Sequence, residues 1–183
     1  MRLLVDTCIE ACTEPLDLLL VPGGPGQLPL MEDERVLRFI RRWAINIDPG
    51  RWPHYLASVC TGALVLAATG LLAPDPDLNP ILRVRATTHW LLRPLLEALG
   101  VQLQDGRVVW CDVTTRVHGD EESGDAGEAY RRSFTLATGG GITAGIDFAL
   151  DVVRQIYGRE VAQGIQLAME VSTTLCCVAA LGS

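Results

Sequence analysis

The sequence predicts an α/β domain on a mostly parallel sheet with helices covering both faces. Three observations carry that expectation. Short apolar runs that end in glycine turns, "PLDLLLVPGG" at 15–24 and "HYLASVCTG" at 54–62, alternate with segments whose apolar residues recur at helical spacing. The runs are apolar at consecutive positions, as strands buried on two sides are. Hydrophobic residues make up 49% of the chain and aromatic residues only 5%, which suits a core of Leu, Val, Ile and Ala.

In chain order, "DLLLV" is the first strand, stopped by Pro22-Gly23-Gly24. "DERVLRFIRRWAINI" (33–47) places Val36, Leu37, Ile40, Trp43 and Ala44 on one helical face, with Arg on the other. A strand at 55–59 and a helix at 61–72, apolar almost all round, come next. "RVRATTH" (83–89) reads as a short strand, and "WLLRPLLEAL" as a helix stopped by Gly100. "VQLQ" and "RVVWCDVT" alternate as a strand or hairpin does. "HGDEESGDAGEAYRRS" (118–133) is polar, acidic and glycine-containing, hence a surface loop or insertion. "FTLATGGGITAGIDFALDVVRQIYG" gives strand, glycine turn and amphipathic helix, and "REVAQGIQLAMEV" a last helix before the apolar tail 172–183.

One domain over 1–183 is expected from a chain of 183 residues. A formal net charge of −7 supplies no basic footprint, so neither nucleic acid nor a membrane surface is an expected partner. No uncharged apolar run reaches the ~18 residues of a transmembrane helix, and "MRLLVDTCIEACTEP" lacks the apolar core of a signal peptide. Six cysteines, at 8, 12, 60, 111, 176 and 177, show no metal-ligand spacing. Free thiols in a reducing cytoplasm, with no metal and no cofactor, are the expectation.

Cys60 is the residue to explain. Ser58-Val59-Cys60-Thr61-Gly62 has the small-x-nucleophile-x-small form of a nucleophile elbow, with Cys in place of Ser. A tight turn there lifts the sulfur off the sheet, and the positive end of the following helix favours a thiolate. The backbone N–H of Thr61 is placed to donate to an oxyanion, and the Gly23-Gly24 turn offers a second donor without side chains in the way. The competing reading of Cys60 is a small buried hydrophobe; the strand-turn-helix setting favours the functional one. The other five cysteines lack that setting. His89 in "ATTHW" closes a strand at the same end of the sheet and is either a proton partner for Cys60 or a packed imidazole beside Trp90. His54 and His118 read as solvated. "TGGGITAG" (138–145) has neither phosphate-loop order, and a tight strand-to-helix connection accounts for it. Asp147 reads as a stabiliser of the helix that carries it.

Taken together, "DLLLVPGGPG", "SVCTGALVLAATGLL", "RATTHW" and "GGGITAGIDFALDVV" resemble the DJ-1/PfpI superfamily, in that order and over residues 16–170. The resemblance implies a flavodoxin-like three-layer sandwich. Within the superfamily "CTGALVL", "RATTHW" and "GGITAGIDFAL" look most like the isonitrile hydratases; the amidase-like domains attached to AraC-type regulators share the wording. It implies a lyase in which Cys60 attacks an isocyanide carbon and water releases an N-substituted formamide. Gly23, Gly24 and Thr61 would bind the substrate or oxyanion and His89 would lie near. A small-molecule substrate and a homodimer are the implied partners. The alternatives are a non-catalytic sensing or regulatory domain, or an inactive truncated copy; a DJ-1-like glyoxalase or redox role would use the same thiol. Superfamily members begin with a strand and helix that bring a carboxylate to the nucleophile. This chain is expected to lack that unit, and Asp6, Glu10 and Glu14 are not assigned its role. An open sheet edge would result. Extra residues are expected at "APDPDLNPILRV" and 117–133.

Overall fold

The computed structural model describes residues 4–46, 54–72, 84–118 and 129–172. Four strands form the main sheet: β1 (Leu18–Val21), β2 (Tyr55–Val59), β5 (Val108–His118) and β6 (Ala129–Gly139), in the order β1-β2-β6-β5. β1 pairs parallel with β2, and β2 parallel with β6, Val21 facing Ser58 and Val59 facing Gly139. β5 runs antiparallel to β6, Val108 opposite Gly139 and His118 opposite Ala129. A small parallel pair, β3 (Arg85–Ala86) with β4 (Gln102–Leu103), forms a second sheet whose β3 packs against β5 and β6. The sheet is therefore mostly parallel, as expected, with one antiparallel edge.

Side-chain alternation sends each strand's neighbours to opposite faces. Leu56 and Leu136 face one layer, formed by α2 (Glu34–Ile45), α3 (Gly62–Ala68) and α4 (Arg93–Ala98), whose Leu37, Ile40, Trp43, Leu64 and Leu96 complete the main core. Trp43 meets Phe134 edge-on at 5.9 Å. Ala57 and Ala137 face α5 (Ala144–Tyr157), where Phe148 packs against them. The small alanines let that helix approach closely. α3 is buried from Gly62 to Ala67, which explains its unbroken apolar sequence: the sheet covers one side and neighbouring helices the other. α6 (Arg159–Ala168) rests on α5, and a short α1 (Gln27–Leu30) packs on α3.

Two expectations need correction. The loop expected at 118–133 is strand at both of its ends, since β5 runs to His118 and β6 begins at Ala129; 119–128 lie outside the described residues. His54 is buried rather than solvated, because it immediately precedes β2, where its carbonyl accepts from Thr135 N–H at 2.9 Å. The extra residues at 73–83 and the tail from 173 on, with Cys176 and Cys177, also lie outside the described residues. Among the described residues β1 is an edge strand, with Leu20 43% exposed. No helix among them is long and apolar enough to cross a membrane.

Candidate functional site

β1, β2 and β6 all end at one side of the sheet, and the glycine-rich turns that extend from them meet there. Cys60 sits between β2 and α3 with φ of 57°, the left-handed region that a non-glycine residue enters at a cost. Its conformation is held from two directions. Its N–H donates to the carbonyls of Gly139 and Gly140, at 2.9 and 3.0 Å, and its own carbonyl accepts from Thr88 Oγ1 at 2.7 Å. Thr88 is buried, whereas Cys60 is half-exposed. The elbow expected from the sequence is present, and its strain is balanced by hydrogen bonds from two other segments.

The glycines around it are required by space. A Cβ on Gly23 would lie 2.6 Å from the Cβ of Cys60 and 2.8 Å from the carbonyl oxygen of Val59. Gly62 faces the backbone of Val21 and Pro22 with as little room. The β1 turn thus rests directly on the elbow. Thr61 ties the two together: its Oγ1 accepts from Gly24 N–H at 2.9 Å and lies 3.0 Å from the Gly24 carbonyl oxygen, which accepts its hydrogen. Thr61 caps no helical N–H with its side chain. The Gly24 N–H is therefore engaged within the protein.

His89 comes directly after Thr88 and packs beside Gly141, where an added Cβ would fall 2.9 Å from its ring Cδ2. Its Nδ1 accepts from Leu91 N–H at 3.3 Å, so in the neutral ring the hydrogen sits on Nε2. Trp90 lies alongside, ring centres 5.7 Å apart. The structure thus brings all five predicted residues, Gly23, Gly24, Cys60, Thr61 and His89, to one end of the sheet.

Sequence reasoning missed Arg107, the partner that Asp147 pairs with beside the 139–143 turn. Arg107 accepts from Gly140 N–H through its carbonyl at 2.9 Å, while its guanidinium reaches Thr143 Oγ1 and the carboxylate of Asp147. Asp147 is buried and engaged in that ion pair. Thr88 and Arg107 carry no signal in the sequence, because their contacts join positions many residues apart. Among the described residues no three His, Cys, Asp or Glu side chains are grouped as metal ligands. A separate cavity of about 450 Å³, walled by Leu16, Phe39, Arg42, Trp43 and His54, opens at the opposite, amino-terminal end of the strands.

Comparison with known proteins agrees with this fold. The model of the DJ-1/PfpI family matches residues 1–155. The chain belongs to the DJ-1/PfpI family. It is 41% identical over 170 residues to the isonitrile hydratase of Pseudomonas putida, a match that covers 93% of this chain and 58% of that protein. The chain thus spans less than two-thirds of the length of that curated relative. Among solved DJ-1/PfpI structures, a ThiJ/PfpI family protein from Pseudomonas syringae superposes with a TM-score of 0.64 at 29% identity, covering 90% of this chain and 53% of that one. Drosophila melanogaster DJ-1beta superposes with a TM-score of 0.63 at 20% identity, over 94% of this chain and 74% of that one. Its likeness is one of fold.

Proposed function

We propose that this chain is an isonitrile hydratase-like lyase with Cys60 as its nucleophile, acting on a small isocyanide in a reducing, cytoplasmic setting. The observation that carries the reading is the half-exposed Cys60 on a left-handed elbow, with the Gly23 turn pressed against it and His89 directly after the Thr88 that holds its carbonyl. The 41% identity to an isonitrile hydratase supports the choice of substrate.

In the proposed reaction the sulfur bonds to the terminal isocyanide carbon and a proton is delivered to that carbon, giving a thioimidate. Water then adds to the same carbon, the C–S bond breaks, the thiol is regenerated, and nitrogen takes the remaining proton. The sum is isocyanide plus water to N-substituted formamide. The N–H groups of Gly23 and Thr61 are the donors assigned to the developing charge, because the Gly24 N–H is occupied by Thr61 Oγ1. His89 would donate from Nε2.

Formamide formed from an aryl isocyanide by wild type and not by Cys60→Ala is the expected result. Equal rates for the two proteins would end the proposal. One observation favours a second reading, a ligand-sensing domain: among the described residues no carboxylate or imidazole is hydrogen-bonded to the Cys60 sulfur. Saturable isocyanide binding without turnover, abolished by Cys60→Ala, identifies that case.

A further inference from the structure

Three segments hold the elbow, and each carries a large apolar side chain into solvent a few residues beyond its contact with it. The Gly24 backbone, bound to Thr61, is followed by Leu28, 58% exposed. Thr88, on the Cys60 carbonyl, is followed by Trp90, 72% exposed. Gly140, on the Cys60 N–H, is followed by Ile142, 85% exposed. A single apolar residue on a surface needs no account, but several beside one reactive centre mark a binding rim. The indole stands out, because tryptophan is highly buried on average.

The placement of Trp90 is fixed by its neighbours. It opens a short 3-10 turn (Trp90–Leu92) that His89 caps: Leu91 N–H donates to His89 Nδ1 at 3.3 Å and Leu92 N–H to the His89 carbonyl at 2.9 Å. Its ring leans on the imidazole, 5.7 Å between centres and 32° between planes. The imidazole in turn lies against Gly141, where a side chain would collide with it. The contacts run in series: the 139–141 turn holds Cys60, His89 lies on that turn, and Trp90 lies on His89.

We propose that Trp90 sets the specificity of the site by giving the organic group of the isocyanide an aromatic face to rest on. The inference rests on the isonitrile hydratase-like reading above, and names its substrates as isocyanides with a flat apolar group, aryl in preference to small alkyl. The shape of the substrate calls for such a rim. In R–N≡C the reacting carbon, the nitrogen and the first atom of R are collinear. With the carbon at the Cys60 sulfur, R therefore points away from the elbow, where only the surrounding surface can recognise it. Leu28 and Ile142 add apolar area there, whereas an indole presents a broad, rigid face at low conformational cost.

The test compares phenyl with methyl isocyanide on the full chain. Trp90→Ala should lower the ratio of their kcat/KM values about threefold to tenfold, the range of an aromatic pair, and Trp90→Phe should keep most of it. General damage to the fold slows both substrates and leaves the ratio alone. A ratio unchanged in Trp90→Ala overturns the proposal. A second measurement needs no turnover: alkylation of Cys60 by N-phenylmaleimide and N-methylmaleimide, followed by mass at the Cys60 tryptic peptide. The preference for the phenyl reagent should fall by the same factor in Trp90→Ala. Wild type that makes no formamide yet shows this Trp90-dependent preference would end the hydratase reading and leave the aromatic rim standing; a preference indifferent to Trp90→Ala removes the rim whatever the turnover. A wild-type dimer that Trp90→Ala converts to monomer in sedimentation would assign the indole to an interface between copies, and would also overturn the proposal.

Discussion

Arg107 and Asp147 are joined by paired hydrogen bonds, Nε and a terminal guanidinium nitrogen meeting the same carboxylate oxygen at 2.7 and 2.5 Å. The pair lies beside the 139–143 turn, which holds the Cys60 N–H through the carbonyls of Gly139 and Gly140. It therefore acts on Cys60 through one intervening segment. The Asp147 carboxylate is nearly buried while Arg107 is half-exposed, so deleting the arginine strands an acid without its partner. Arg107→Met should cost about 1.5–3 kcal/mol of stability and lower the second-order rate of Cys60 alkylation by roughly tenfold through misplacement of the sulfur. Asp147→Asn should reproduce the loss of alkylation rate with a smaller loss of stability. If alkylation of folded Arg107→Met proceeds at the wild-type rate, the pair has no bearing on the elbow.

The left-handed backbone at Cys60 makes a prediction about glycine. A residue with a Cβ loses about 1 kcal/mol or more at φ of 57°, and glycine does not. Cys60→Gly should therefore be more stable than Cys60→Ala by about 1 kcal/mol, a rise in Tm of about 2–4 °C for a chain of this size. Both variants should lose formamide production. Thermal unfolding of the pair reads the difference; a glycine variant less stable than the alanine one would mean the elbow carries no strain.

Part of this architecture was readable in the residues themselves. β1, β2 and the Cys60 elbow were legible because buried strands leave consecutive apolar residues and the close approaches at Gly23 and Gly62 admit no side chain. The seam between α2 and the sheet came from the spacing of Leu37, Ile40, Trp43 and Ala44. The ends of β5 and β6 were not legible. Arg131 and Ser133 are polar and exposed, and only backbone pairing with Arg116 and Thr114 makes them strand. His54 reads as solvated beside Pro53, yet it is buried at the entry to β2, its carbonyl paired with Thr135 N–H of β6. Thr88 reads as an ordinary strand residue until its hydroxyl is seen on the Cys60 carbonyl. Such contacts depend on the topology, which local pattern does not specify.

The close approach of β1 to α3 should be intolerant of a methyl group. A Cβ on Gly62 would lie 2.9 Å from the Pro22 carbonyl oxygen and closer still to that of Val21. Both neighbours are backbone and cannot swing aside. Gly62→Ala should destabilise by about 1–3 kcal/mol, the ordinary cost of overpacking, and Gly23→Ala by a similar amount. Gly164 is the internal control: it lies within α6, and a Cβ there meets nothing within 4 Å. Gly164→Ala should stabilise by about 0.5–1 kcal/mol. Urea unfolding of the three variants tests the ordering; Gly62→Ala as stable as Gly164→Ala would contradict the packing at the elbow.

Asp33 gives the protein a calculable response to acid. It is the N-cap of α2, its carboxylate accepting from Arg35 N–H at 3.0 Å and from the Arg35 guanidinium at 3.1 Å. The Arg35 side-chain hydrogen bond, then the backbone one, hold its carboxyl below the ordinary 3.8. Because the folded value is the lower one, the unfolded chain takes up the proton first as pH falls. The stabilisation is present above 3.8 and is lost as pH drops through the folded value. Asn caps a helix about as well as Asp but does not titrate. Asp33→Asn should therefore match wild type less closely at neutral pH, where the Arg35 contact is charge-assisted, and approach it as the medium is acidified. Urea midpoints measured from pH 6 to pH 3 should show the two curves converging. Curves that stay parallel over that range would show that the Asp33 carboxylate has the same affinity for protons in the folded and unfolded chains.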